Sequence, residues 1–197
     1  MNQTLLNRRD VLVSLAAAGA LVALPRLSQA APPLPGDSVY QMRASLVDQD
    51  GHALELDAMR GTPVLVSMFY SSCDMVCPMI FETIHAVLAA VPVSERKAVR
   101  VLMVSFDPAR DSVAVLKKTA DQRNCDSQWT LARCDEATAR KVAAVLGIQY
   151  RRLTNGEFNH STLVTLLDRD GRVAAKSAKL GGADAVLVKG VHKLAAA

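Results

Sequence analysis

Apolar and polar positions divide this chain into short hydrophobic runs separated by turn clusters. Val64-Leu65-Val66-Ser67-Met68-Phe69 is almost continuously apolar, the pattern of a parallel strand covered on both faces. From Pro78 onward, Ile80, Phe81, Ile84, Val87 and Leu88 recur at helical spacing, and Pro78 suits a first helical turn, where its missing N–H is no loss. A second apolar stretch, Val99 to Phe106, completes a strand, helix, strand unit whose crossover should be right-handed. Upstream, Tyr40 to Val47 and Ala53 to Leu56 flank the turn residues Asp48-Gln49-Asp50-Gly51, which predicts a leading hairpin. Downstream, Val113, Leu116 and Lys117 mark a short helix and Trp129 to Ala132 an extended stretch. Asp135 and Gly147 have the residue types that cap a helix at its two ends. Tyr150 to Leu153 reads as extended. Leu163 to Leu167 and Arg172 to Ala175 then flank Asp168-Arg169-Asp170-Gly171 as a further hairpin, and Ala183 to Leu194 is helix-like. The pattern predicts one α/β domain with an antiparallel addition and flanking helices.

Composition supports a packed domain, since 50% of the 197 residues are hydrophobic. The first 30 residues follow a different logic. A basic start at Arg8-Arg9, an apolar run from Val11 to Leu24 and small residues at Ser28-Gln29-Ala30 have the order of an export signal cleaved after Ala30. The run falls short of the roughly 20 residues that a membrane-spanning helix needs. The paired arginines resemble a twin-arginine signal, with a general secretory signal as the alternative and an uncleaved anchor as the bland reading. Residues 31–36 read as a linker, and the domain proper is expected over 37–197. Removing the first 30 residues takes away Arg8, Arg9, Arg26 and Asp10, which lowers the formal charge from +4 to +2. So small a charge gives no case for nucleic acid as a partner. Export places the protein in the periplasm, where disulfides persist.

The chemistry concentrates in Phe69-Tyr70-Ser71-Ser72-Cys73-Asp74-Met75-Val76-Cys77-Pro78, where the buried strand runs out into two thiols and a helix begins. Their spacing puts the sulfurs about one helical turn apart, compatible with a shared ion, a redox couple or a small-loop disulfide. A helix starting at Pro78 would aim free N–H groups at Cys77, which predicts a lowered pKa for that thiol. Structural zinc is disfavoured, because the chain has neither a second Cys-x-x-Cys pair nor a paired histidine motif. Two thiolates and one imidazole suit three-coordinate Cu(I), and Cu(II) with an added oxygen ligand.

Three blocks now stand in order: the cysteine segment, Ser105-Phe106-Asp107-Pro108-Ala109-Arg110-Asp111, and Asn159-His160-Ser161 ahead of Asp168-Arg169-Asp170-Gly171. Together they resemble the Sco (SenC) family over about Asp37 to the C-terminus. The resemblance implies a thioredoxin-like fold binding one copper, Cu(I) or Cu(II), through Cys73, Cys77 and His160. It implies that Asp107 supports the site or docks a partner rather than binding metal. The family's role is to deliver copper to a respiratory oxidase copper-site subunit or a similar cuproprotein, or to reduce the acceptor's cysteines. A thiol-disulfide reductase with Cys73 and Cys77 as its redox pair, and a copper or redox sensor, are the alternatives. Membrane contact is expected only through the partner or an uncleaved signal. The sequence departs from the family at Asp74, where proline is common, and in a leader that looks cleavable where the family commonly carries an anchor.

Several residues are read more plainly. Cys125 and Cys134 lie outside the matching blocks and are expected to form a structural disulfide, the alternative being an auxiliary redox or metal pair. Met68 and Met79 are expected in the core, with Met75 a candidate partner contact. Asp107, Arg110 and Asp111 have the bland alternative of capping the following helix. His52, His85 and His192 have no comparable context.

Overall fold

The computed structural model describes residues 32–196, so the expected export signal lies outside the described residues. Nine strands and five α-helices of the described residues follow in chain order. They are β1 (Ser45–Asp48), β2 (Ala53–Glu55), β3 (Val64–Phe69), α1 (Val76–Ala89), α2 (Val93–Lys97), β4 (Arg100–Ser105) and α3 (Val113–Gln122). Then come β5 (Trp129–Arg133), α4 (Glu136–Leu146), β6 (Tyr150–Arg152), β7 (Phe158–His160), β8 (Val164–Leu167), β9 (Val173–Ser177) and α5 (Ala185–Ala195). Leu34 already packs against the core, and the Gln41 side chain donates to the Leu34 carbonyl at 3.1 Å.

Seven strands form a mixed sheet in the order β2-β1-β5-β4-β3-β8-β9. The three central strands β5, β4 and β3 are parallel, while the leading hairpin and the β8–β9 hairpin add antiparallel strands at the two sides. This is the thioredoxin-like architecture expected. Every residue of β3 is buried, as a central parallel strand requires. Helix α1 turns Cys77, Ile80, Phe81, Ile84, Val87 and Leu88 inward. There Phe81 meets Phe69 edge-on at 5.4 Å and stacks on Trp129 at 5.7 Å between ring centroids.

The caps and turns act where their residue types predict. Asp135 accepts from the Thr138 N–H at 2.9 Å to begin α4, and Gly147 ends it in a left-handed conformation at φ 77°. At Gly171, φ is +81° and an added Cβ would lie 2.5 Å from the Tyr40 ring, so the turn of the β8–β9 hairpin closes onto the N-terminal segment only with glycine. Among the described residues, no helix is long and apolar enough to cross a membrane.

Strand direction creates the site. Parallel β3 and β4 pair in register from Val64 opposite Arg100 to Phe69 opposite Ser105, so the loops after both strands leave the same end of the sheet. Strand β8 runs antiparallel to β3, so the chain just before it, held by Ser67 Oγ donating to the Leu163 carbonyl at 2.9 Å, starts from that end as well. The cysteine segment, the Asp107 loop and His160 therefore converge although they are distant in sequence.

One element is not anticipated from the sequence, and one expectation is corrected. His160 is the last residue of a separate two-stranded ribbon, β6–β7, in which Tyr150 pairs with His160 and Arg152 with Phe158. Sequence patterning marked β6 as extended but gave no signal for β7, which is only Phe-Asn-His. Cys125 and Cys134 are free thiols, not a disulfide. Cys125 precedes β5 and Cys134 follows it, and a five-residue strand at about 3.3 Å per residue holds them far beyond the roughly 7 Å Cα limit for a bridge. Burial raises the Cys125 pKa to about 12 and that of Cys134 to about 11, which leaves both protonated and unreactive at neutral pH.

Candidate metal centre

Helix α1 begins at Val76, two residues earlier than the position of Pro78 suggests, and its N-cap is Met75. That shift changes which thiol faces the helix end. Cys73 sits ahead of the first turn and its Sγ accepts the Cys77 backbone N–H at 3.4 Å, while Cys77 lies inside the turn, 2% exposed. Burial of Cys73 opposes its thiolate, but N–H groups of Cys77, Met75 and Val76 and the Cys77 thiol overcome it, bringing the pKa down to about 6. For Cys77, burial pushes the pKa far above the ordinary thiol range, against the Tyr70 backbone contact and reinforced by the charge on Cys73. The expectation of an activated Cys77 is thus reversed: the same dipole acts, on Cys73.

His160 completes the group. Its Nε2 lies 3.7 Å from Cys77 Sγ, and one ligand atom from each of Cys73, Cys77 and His160 falls within 4.8 Å of the others. His160 Nδ1 is 3.1 Å from the Ser161 carbonyl, which can only accept, so Nδ1 carries the proton and the Nε2 lone pair faces the sulfurs. The ring packs against Phe106 at 5.2 Å and edge-on to Tyr70 at 5.8 Å. Cys73 and His160 line a depression open to solvent together with Tyr70, Asp74, Met75 and Leu153, and the Cys77 sulfur lies buried behind them.

The Asp107 loop supports this group from below, and its two acids divide the work. Asp111 is fully buried; its carboxylate accepts the Ser71 N–H at 3.2 Å and the hydroxyls of Ser71 and Ser105. It therefore ties the cysteine segment to the end of β4. Asp107 is also buried and pairs with Arg110, whose other nitrogens donate to the Gly156 carbonyl at 2.9 Å and approach Glu157 at 3.7 Å. Arg110 thereby grips the turn of the β6–β7 ribbon, and its guanidinium lies 5.8 Å from the ring centres of both Tyr70 and Phe158. Asp107 acts on the site through Arg110, and its burial removes it from any docking surface. Neither acid caps α3, which Ser112 does by accepting from the Val115 N–H at 3.3 Å.

Glu157 and Tyr70 are additions that sequence reasoning missed. Tyr70 Oη donates to Glu157 Oε2 at 2.8 Å, and burial followed by this bond raises the tyrosine pKa above its usual range. Nothing in the local pattern around Glu157 marked it, because its partners come from other segments. Met68 is in the core as expected, but Met79 is 38% exposed, a correction, since α1 turns that side of its first turn to solvent. The remaining histidines have other partners: His52 with Asp48 at 3.3 Å, His85 with the Arg123 carbonyl at 2.9 Å, and His192 with Glu95 at 2.8 Å.

The family model SCO1/SenC matches residues 35–196. The chain belongs to the SCO1/SenC family. A SCO2-like protein of Rickettsia prowazekii is 26% identical over 167 residues, covering 78% of this chain and 80% of the relative. Bradyrhizobium japonicum ScoI with copper bound is similar at 26% identity with a TM-score of 0.64, over 78% of this chain and 96% of that one. BsSco, described as a disulfide-switch member of the Sco family of cytochrome c oxidase assembly proteins, shares the fold. Its TM-score is 0.65 at 18% identity, over 79% of this chain and 92% of that one.

Proposed function

We propose that this SCO1/SenC protein is an exported copper metallochaperone that binds one copper through Cys73, Cys77 and His160 and gives it to a periplasmic cuproprotein, a respiratory oxidase copper-site subunit being the leading acceptor. The observation that carries the reading is the convergence of two sulfurs and an imidazole with its Nε2 lone pair toward them within 4.8 Å, beside an open depression that Cys73 and His160 line. Thiolates hold Cu(I), and the imidazole adds affinity for Cu(II). Copper as cargo requires donors that an acceptor can replace one at a time, and Cys73, ionised at neutral pH beside the open space, is the donor best placed to bind first and to exchange. Support for the acceptor class comes from the oxidase-assembly role of BsSco and from copper in the Bradyrhizobium protein. The export signal over residues 1–30 with its linker belongs to the same reading and places the exchange in the periplasm.

The asymmetry of the thiols favours a second activity at the same residues, reduction of the acceptor's disulfide. The Cys73 thiolate attacks one partner sulfur and the other partner sulfur leaves as a thiol after protonation. Cys77 then gives up its proton and attacks Cys73 in the mixed disulfide, which releases the reduced partner and leaves a Cys73–Cys77 bridge. Each cycle oxidises the pair by two electrons and reduces one partner disulfide, so an external reductant must reset it. The two activities separate when copper-loaded protein is mixed with a dithiol peptide bearing an oxidase copper-site motif, and metal-free reduced protein with the disulfide form of that peptide. Delivery predicts metal moving to the dithiol with protein thiols conserved, and retention of copper by the protein contradicts it. Reductase activity predicts loss of protein thiols matched by gain of peptide thiols.

A further inference from the structure

The start of α1 carries two exposed methionines that the three-residue site does not use, Met75 lining the open depression and Met79 outside its lining. Met75 stands between the cysteines at the N-cap of α1 and is 76% exposed, while Met79, one turn further along, is 38% exposed. Other described methionines are placed differently: Met59, Met68 and Met103 are buried in the core and Met42 packs against it. A methionine left in water forgoes the free energy of burying its apolar side chain. Met75 also lines the depression shared with Cys73 and His160. Met75 as N-cap and Met79 four positions on are both exposed at the start of α1, where two long flexible thioethers can close around one ion.

Thioether sulfur is a neutral, soft donor suited to Cu(I), and unlike a thiol it needs no deprotonation before it binds. We propose that Met75 and Met79 form a loading site for a cuprous ion at the mouth of the centre, from which the ion passes inward to Cys73. The proposal rests on the copper-handling reading above. Transfer is ligand exchange with no change of oxidation state. One thioether bond to copper breaks as the bond to the Cys73 sulfur forms, the second breaks as Cys77 binds, and the Cys77 proton leaves to solvent. Met75 occupies the position between the cysteines that lets one ion touch both donor sets in turn.

The test uses the full chain labelled at the methionine ε-methyl carbons, with Cys73→Ser and Cys77→Ser removing the inner thiols, titrated with Ag(I) as an air-stable mimic of Cu(I). The Met75 and Met79 methyl resonances should shift together and saturate, those of Met68 and Met103 should stay in place, and Met75→Leu should weaken binding by about tenfold or more. Unmoved Met75 and Met79 methyls, or equal affinity in Met75→Leu, would overturn the loading site. A parallel Cu(I) titration of the unsubstituted chain separates the two claims. Tight copper at the inner centre together with unmoved Met75 and Met79 methyls in the Cys73→Ser, Cys77→Ser chain removes the loading site alone, whereas no copper at the inner centre removes both.

Discussion

Cys73 and Cys77 are anchored to the seven-stranded sheet, whereas His160 rides on a two-stranded ribbon that shares no ladder with that sheet. The cysteine segment leaves a fully buried strand, is tied down by the buried Asp111 carboxylate, and continues into a helix whose inner face is core. The ribbon is held by side chains instead: Arg110 on the Gly156 carbonyl, Tyr70 on Glu157, and a cluster of Phe106, Tyr150 and Phe158 rings. The main-chain framework therefore fixes the two sulfurs, and the imidazole is brought to them by side-chain contacts. Under the proposed copper transfer, that division would let one donor loosen without disturbing the fold.

The largest expected effect lies within the cysteine segment. With Cys73 near 6 and Cys77 far above the ordinary range, iodoacetamide at pH 7 should modify Cys73 faster than Cys77 by at least about a thousandfold, since almost none of Cys77 is thiolate at that pH. The sign follows from the lowered value: the thiolate persists down to about pH 6, so the Cys73 rate should fall tenfold per unit only below that, not from the roughly 8.5 of an ordinary thiol. Because main-chain N–H groups cause the shift, the profile should be unchanged in Arg110→Ala. A profile that moves with Arg110 would break the separation between the two regions.

Next in size is Asp111→Ala. It strands the Ser71 N–H and the Ser71 and Ser105 hydroxyls in a buried place, and should cost about 3 kcal/mol or more in urea unfolding. Unfolding within about 0.5 kcal/mol of the parent would show that the segment is not anchored there. Arg110→Ala should act on both the ribbon and the fold. Copper affinity should drop by about 10- to 100-fold as the ribbon loosens, and unfolding should lose up to about 3 kcal/mol, because the Asp107 carboxylate stays buried without its partner. The smallest effect is expected for Glu157→Gln, which keeps an acceptor for Tyr70 and loses only a long ion pair to Arg110, a change of less than about 1 kcal/mol in copper binding by competition titration.

The same contrast explains what was legible in the sequence. Strands β3 and β4, the turns at Asp48 to Gly51 and Asp168 to Gly171, and the α4 caps are each specified by residues adjacent in the chain, so periodicity and turn chemistry place them. The two thiols and His160 were legible as donors because residue type carries that chemistry. Which thiol is ionised was not, since it depends on whether α1 begins at Val76 or Pro78, a shift of two residues that moves Cys77 from outside the helix into its first turn. The roles of Asp107, Asp111 and Glu157 depend on partners about 40 or more residues away or on an arginine shared between loops. The Cys125 and Cys134 pairing failed for a related reason: a spacing of nine positions permits a bridge in a loop and forbids it when an extended strand lies between.

The convergence of ribbon and cysteine segment on one ion is tested most directly by Cu(II) titration of reduced protein followed by electron paramagnetic resonance, with the parent compared to His160→Ala. The parent should take up one equivalent with nitrogen hyperfine coupling from a single imidazole, and the variant should lose that coupling and bind at least about a hundredfold more weakly. Identical spectra and affinity in the two proteins would contradict a centre built from Cys73, Cys77 and His160.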